Sequence, residues 1–162
     1  MSDSYYDTAQ VCLNGHVISS FAASQPQSNQ KFCAECGAET ITACPSCSTA
    51  IRGHYHVPGV IGFFDYSKPA YCYNCGKPFP WTVASLEAAS ELVDDLDALS
   101  PEEKQQLKES FPDLVRDTPR TAVAESRFKR LTKKAGSEAV GAMRAILVDV
   151  VSEAVKKSIF GA

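Results

Sequence analysis

The stretch Cys33-Ala34-Glu35-Cys36-Gly37-Ala38-Glu39-Thr40-Ile41-Thr42-Ala43-Cys44-Pro45-Ser46-Cys47 carries two Cys-x-x-Cys pairs with seven residues between them. A third pair, Cys72-Tyr73-Asn74-Cys75, lies downstream, and the remaining cysteine, Cys12, is followed by Leu13-Asn14-Gly15-His16. Seven cysteines are an odd number, so a closed set of internal disulfides is excluded. Adding His16 gives eight donors in four pairs, enough for two tetrahedral sites with none left over. Two thiolates two residues apart grip one ion from a tight turn, and zinc accepts three-Cys-one-His and four-Cys sets equally well. The spacing therefore predicts two structural Zn2+ ions held by Cys12, His16, Cys33, Cys36, Cys44, Cys47, Cys72 and Cys75.

Competing chemistries fit less well. A redox Cys-x-x-Cys normally occurs once, beside a βαβ pattern, whereas three occur here without one. Iron–sulfur ligation rarely uses His at such a site. Disulfides need an oxidising compartment, and no signal peptide precedes the motifs, so the expected location is cytoplasmic. Two pairings remain open. In the sequential scheme the first two pairs share one ion and the last two the other, giving two zinc ribbons. In the interleaved scheme the first pair joins the third and the second joins the fourth. The gaps suit hairpins and favour the sequential scheme.

The run Phe32-Cys33-Ala34-Glu35-Cys36-Gly37, with Cys44-Pro45-Ser46-Cys47 and the segment Tyr71 to Trp81, resembles bacterial double zinc-ribbon proteins. Cys12-Leu13-Asn14-Gly15-His16, with Ile51-Arg52-Gly53 and Val57-Pro58-Gly59, narrows this. It resembles a bacterial domain-of-unknown-function family in which a zinc-ribbon half precedes a helical tail. The resemblance covers nearly the whole chain. It implies zinc and a bacterial cytoplasmic setting, and it implies no activity.

The rest of the chain fits this division. The 162 residues suffice for one ordinary domain or two small ones, and 44% hydrophobic with 22% charged residues is a globular composition. The expected class is α+β: a flexible N-terminus over 1–10, a double zinc ribbon over 11–82, and an all-α bundle over 83–162. About four helices are expected, near 83–98, 101–111, 119–135 and 137–159. Thr82 or Ser85 caps the first in this reading. Ser100-Pro101-Glu102-Glu103 is a capping-box start for the second, which is expected to end near Phe111-Pro112. The last helix carries apolar residues over more than half its circumference, more than a surface helix needs. That suggests self-association, partner docking or contact with a membrane surface. Arg144, Asp149, Glu153, Lys156 and Lys157 rule out a transmembrane span there.

Two regions are candidates for recognition. Between the last two knuckles, Arg52, His54, Tyr55, His56, Phe63, Phe64 and Tyr66 form either a recognition surface or the miniature core of a small metal domain. Short strands are expected at Val60-Ile61 and Phe63-Phe64. His54 and His56 alternate on a strand, a weak signal for a third metal or a base. The second region is the basic stretch Arg120, Arg127, Lys129, Arg130, Lys133 and Lys134. Residues 83–118 hold ten acids and three bases, and residues 119–162 hold four acids and nine bases. The basic stretch is thus either neutralised by the neighbouring acidic helices or a nucleic-acid or membrane patch.

No phosphate-binding glycine loop, nucleophile elbow or His-Glu-x-x-His helix is present. With every zinc ligand position filled, no site is left for water. The sequence reads as a non-enzymatic zinc-binding interaction or scaffolding protein. A protein partner or self-association is expected, and no small-molecule substrate is inferred. A nucleic-acid-binding accessory factor and a membrane-surface effector are the alternatives.

Overall fold

The computed structural model describes residues 3–62 and 64–161. The chain divides into two compact units, Met1–Thr82 and Val83–Ala162. The fold is α+β: small β-sheets lie in the N-terminal unit, and five helices follow.

In the ribbon unit, β1 (Tyr5–Thr8) pairs antiparallel with β5 (Arg52–His56). A second sheet has the order β3 (Val17–Ser19), β2 (Gln10–Cys12), β4 (Thr40–Ile41). Residues 5–8 and Gln10, expected within a flexible terminus, are thus strand. The Asp7 carboxylate fixes the turn beside them, accepting from the Thr8 and Ala23 N–H groups and the Ser24 hydroxyl. Burial alone would raise its pKa, but these donors hold it below the ordinary carboxylate value. The core of this unit is small: Ala9, Val11, Ile51, Phe79 and Trp81 are buried with four of the cysteines, Cys12, Cys33, Cys44 and Cys72.

The β1–β5 register shifts after Tyr6↔Tyr55, so that Thr8 faces Arg52 and β5 carries one extra residue. That bulge brings the Arg52 guanidinium over Tyr6, 4.6 Å from its ring centre. Gly53 sits at the irregularity, where β5 is crossed by another segment. A Cβ there would collide with the Ser20 carbonyl oxygen and lie 2.9 Å from the Thr8 carbonyl carbon. Both obstacles are backbone and cannot rotate away. Gly53→Ala is expected to destabilise the unit by about 1–3 kcal/mol, read by denaturant titration of metal-loaded protein. An unchanged midpoint would show that the strands can part here.

Val60-Ile61 forms no strand, and Phe63 of the other expected strand lies outside the described residues. The β-structure of this insert is β5, which pairs with β1 and ends four residues before Val60. A cross-strand partner at the N-terminus, invisible to local pattern, decides the location.

In the helical unit, α3 (Thr121–Ala135) packs against α2 (Pro101–Val115), α4 (Ser137–Leu147) and α5 (Glu153–Phe160). Leu107, Phe111, Leu114, Ala124, Phe128, Leu131, Met143, Leu147, Val155 and Ile159 are buried. α1 (Pro80–Asp94) starts earlier than the expected Thr82 or Ser85, with Pro80 at its first position. Thr82 is no cap: its hydroxyl donates to the Ala70 carbonyl at 2.8 Å. The Ser100 capping box of α2 forms in full, with reciprocal Ser100 and Glu103 bonds. α2 then runs past Pro112, which is exposed, because burial of Phe111 and Leu114 holds the turn on the opposite face.

The expected single helix over 137–159 is two. Four residues, Val148-Asp149-Val150-Val151, separate α4 from Ser152, whose hydroxyl accepts from Val155 N–H and caps α5. Three Val in four positions resist helix continuation, and Ser152 offers a fresh start. The break removes the puzzle of an over-wide apolar stripe. Met143, Leu147, Val150, Val151, Val155 and Ile159 are all buried, shared between two helices and the break that joins them rather than set around one helix.

Candidate metal centres and the aromatic face

Three knuckles share one local geometry. Cys33, Cys44 and Cys72 each donate their N–H to the carbonyl five residues on (Ala38, Thr49, Lys77), at 2.8–2.9 Å. Gly37, Ser48 and Gly76 each return an N–H to those same cysteines' carbonyls. The returning residue is left-handed in every case, with φ of 74°, 62° and 74°. A bridge closes each turn: Phe32↔Glu39, Ala43↔Ala50 and Tyr71↔Pro78. Ser48 is the residue without the glycine that this conformation favours. Ser48→Gly removes about 1–2 kcal/mol of left-handed strain and adds about 0.5–1 of unfolded-chain entropy. A net gain of about 0.5–1 kcal/mol is expected in denaturant titration. A loss would mean that the Ser48 hydroxyl itself matters.

The donors gather in the sequential scheme. Cys12, His16, Cys33 and Cys36 form one group, and Cys44, Cys47, Cys72 and Cys75 the other, each with all ligand atoms within 4.8 Å of one another. The Sγ–Sγ distances Cys12–Cys36, Cys44–Cys75 and Cys47–Cys72 are each 3.7 Å. A tetrahedron of thiolates about 2.3 Å from a central ion has edges of about 3.8 Å. Disulfides would place the sulfurs at about 2.05 Å. In the mixed group His16 turns Nδ1 to the sulfurs, 3.4 Å from Cys12 and 3.6 Å from Cys33. Its Nε2 lies 3.3 Å from the Glu35 carboxylate, the arrangement that orients a ligating imidazole. Both sites thus fit one tetrahedral ion.

The sulfurs differ in electrostatics. The Asn14 side-chain amide and the Ala38 N–H bring Cys36 down to about 6. The Thr49 hydroxyl and N–H do the same for Cys47, also to about 6. Cys75 accepts from the Lys77 N–H, yet desolvation and its three neighbouring sulfurs push it up to about 11. Each site thus pairs a sulfur held below the ordinary thiol value with one held above it, Cys36 with Cys12 and Cys47 with Cys75.

The aromatic insert is not a core. Tyr55 and Phe64 are 47% and 66% exposed, and Ile61 is fully exposed. His54, Tyr55, Phe64 and Tyr66 instead line a cavity of about 330 Å³ together with Tyr6, Val57 and Val60. The Tyr66 hydroxyl donates to the Arg52 carbonyl at 2.6 Å. The Arg52 guanidinium rests 3.7 Å from the centre of the Tyr73 ring as well as over Tyr6. His56 pairs with the Tyr5 ring instead and does not line the cavity. Among the described residues neither His54 nor His56 joins a metal-ligating group.

A family model described as an uncharacterized protein conserved in bacteria (DUF2321) matches residues 5–159. The chain belongs to this family. No curated protein and no solved structure matches it. In this member of the family, the basic stretch is partly taken up by α2. Arg120 pairs with Asp113, Arg130 donates to the Gln106 side chain, and Lys134 pairs with Glu103. The Lys134 ammonium and the Ser100 N–H hold the Glu103 carboxyl below its ordinary value. Arg127, Lys129 and Lys133 lie on the same helix outside these pairs. Among the described residues no helix is long and apolar enough to cross a membrane.

Sequence reasoning missed Tyr6, Tyr73 and Glu35. Glu35 lies between two ligands, so its place beside a third was a tertiary fact. The signal for Tyr6 was its alternation within Tyr5–Thr8, a strand pattern that gains meaning only with β5 opposite. Tyr73 sits inside a knuckle and faces Arg52 from another part of the chain.

Proposed function

We propose that this is a non-enzymatic zinc-binding interaction protein, with the ribbon unit as recognition surface and the helical unit docking a partner or a second copy. The distribution of exposed apolar side chains carries this reading. Among the described residues, ten of the twelve large hydrophobics left exposed belong to the ribbon unit. A small domain that leaves so many of its own rings outside its core is built to cover them with something else. Zinc is the ion of choice because thiolate and imidazole donors at tetrahedral edges suit it. Four protein donors at each ion leave no position for a substrate water, which supports a structural role. The need for ionised, unoxidised thiols fits a reducing, cytoplasmic setting. The pairing of Arg120, Arg130 and Lys134 with α2 weighs against a nucleic-acid role for that stretch.

The test uses the zinc-loaded full chain, immobilised and exposed to bacterial lysate, with Ile61→Asp and chelated protein as controls. Partners should be retained by the zinc-loaded chain and lost with both controls. Light scattering over a concentration series separates a second copy from a different protein. Retention that survives both chelation and Ile61→Asp would sink the reading.

A further inference from the structure

We propose that the groove beside Arg52 binds an extended peptide segment in which a carboxylate lies one or two residues from a large apolar side chain. The proposal rests on the ribbon unit being a recognition surface, and it names what that surface takes.

The cavity walls are the rings of Tyr6, Tyr55, Phe64 and Tyr66 with Val57 and Val60; Asp65 also lines it and Arg52 does not, so the cavity takes the apolar part of the ligand and the carboxylate goes to Arg52 outside it. At about 330 Å³ it is at the small end of ligand sites and suits one or two side chains. Its framework is set before any ligand arrives. Tyr6 and Tyr55 are cross-strand partners with ring centres 4.7 Å apart, and the Tyr66 hydroxyl is tied to the Arg52 backbone.

Charge complementarity selects the occupant. Two tyrosine rings rest against the Arg52 guanidinium, and among the described residues no carboxylate pairs with it. Stacking engages the flat surface of the group and leaves its N–H edge for a planar acceptor, for which a carboxylate is a bidentate match. Tyr6 is common to the cavity and to the Arg52 stack. The apolar and anionic parts of the ligand are therefore neighbours. An extended chain advances about 3.3 Å per residue, so one or two residues separate them.

The wider field argues for a peptide over a nucleic acid. Residues 1–82 carry five acids and four bases, and thiolate-rich zinc sites add further negative charge. Nothing there resembles the basic stripe on which phosphate-backbone binding depends.

The experiment exposes the zinc-loaded full chain to an array of randomised peptides. Selected peptides should share an acidic residue within two positions of an aromatic or large aliphatic one. Phe64→Ala, at a mostly exposed position outside the core, should weaken them at least about tenfold. Arg52→Gln should erase the acidic preference and keep the apolar one. Metal content of two ions per chain verifies that each variant is folded. If Arg52→Gln loses its ions, the Phe64→Ala comparison decides alone. Selected peptides that bind Phe64→Ala undiminished would overturn the groove while leaving the ribbon as an interaction surface. An array with no selected peptide would overturn both. Binding of a mixed-sequence single-stranded oligonucleotide that is lost in Phe64→Ala would assign the groove to nucleic acid and overturn the peptide.

Discussion

Treating the full chain with a strong chelator is expected to unfold the ribbon unit and spare most of the helical circular dichroism. The single tryptophan, Trp81, is 1% exposed and lies in the ribbon unit, so its fluorescence should shift to the red as the ions leave. The magnitudes make this the largest effect available. A structural zinc contributes about 10–16 kcal/mol at neutral pH, against about 5–15 for the stability of a whole domain. The strands of this unit have two to five residues each, and its core is a handful of side chains. Nothing of that size offsets the conformational entropy of some eighty residues without the ions. The helical unit has its own core around Phe111, Phe128 and Met143 and contains no ligand residue. Acid should act like the chelator, because protons compete for thiolates. Protons already compete for Cys75, pushed up to about 11, at neutral pH, and they compete for Cys36 and Cys47 as well once the pH falls through about 6, so ion retention should weaken most steeply below that value. Unshifted Trp81 emission after both ions are removed would show that the fold precedes the metal.

Trp81→Ala is expected to be the most damaging single change away from the ligands, at about 3–5 kcal/mol. The indole stacks on Phe79 with ring centres 4.6 Å apart and donates its N–H to the Pro69 carbonyl at 2.9 Å. Gly15, inside the first ligand loop, packs so closely that a Cβ there would lie 2.9 Å from the Trp81 Cβ. Truncation therefore opens a cavity beside a metal ligand loop, and ion release under competing chelator should accelerate. Trp81→Phe keeps a ring but strands the Pro69 carbonyl, and should cost about half as much or less. Equal ion-release rates for Trp81→Ala and the parent would show that the ring does not brace the site.

The ligands were legible because metal chemistry writes itself locally. Two cysteines two residues apart announce a turn, and the histidine four residues after Cys12 completes a set that the cysteine count left odd. The sequential grouping and the place of the aromatic face depend on which strand lies beside which. β1 looked like a tail because its partner, β5, is over forty residues away. The division of the last helix was written locally, in Val148-Asp149-Val150-Val151 followed by Ser152. There the apolar periodicity masked the stop, since both new helices reuse the same residue types. Pro112 misled in the other direction: a proline ends a helix only when nothing beyond it needs burying, and Leu114 does.

Cys47 and Cys72 belong to one cluster of ligand atoms, with their sulfurs 3.7 Å apart, so the twenty-four residues between them leave and return to a single point. An ion in that cluster would hold the ends, and the closure cost of such a loop grows only as the logarithm of its length, about 0.6 kcal/mol per doubling. The exposed segment at Val60 to Gly62 is consequently a port of insertion. Extra residues placed there lengthen the excursion without asking either metal centre to move, so such an insertion would disturb the cavity wall at Val60 while leaving the ions in place.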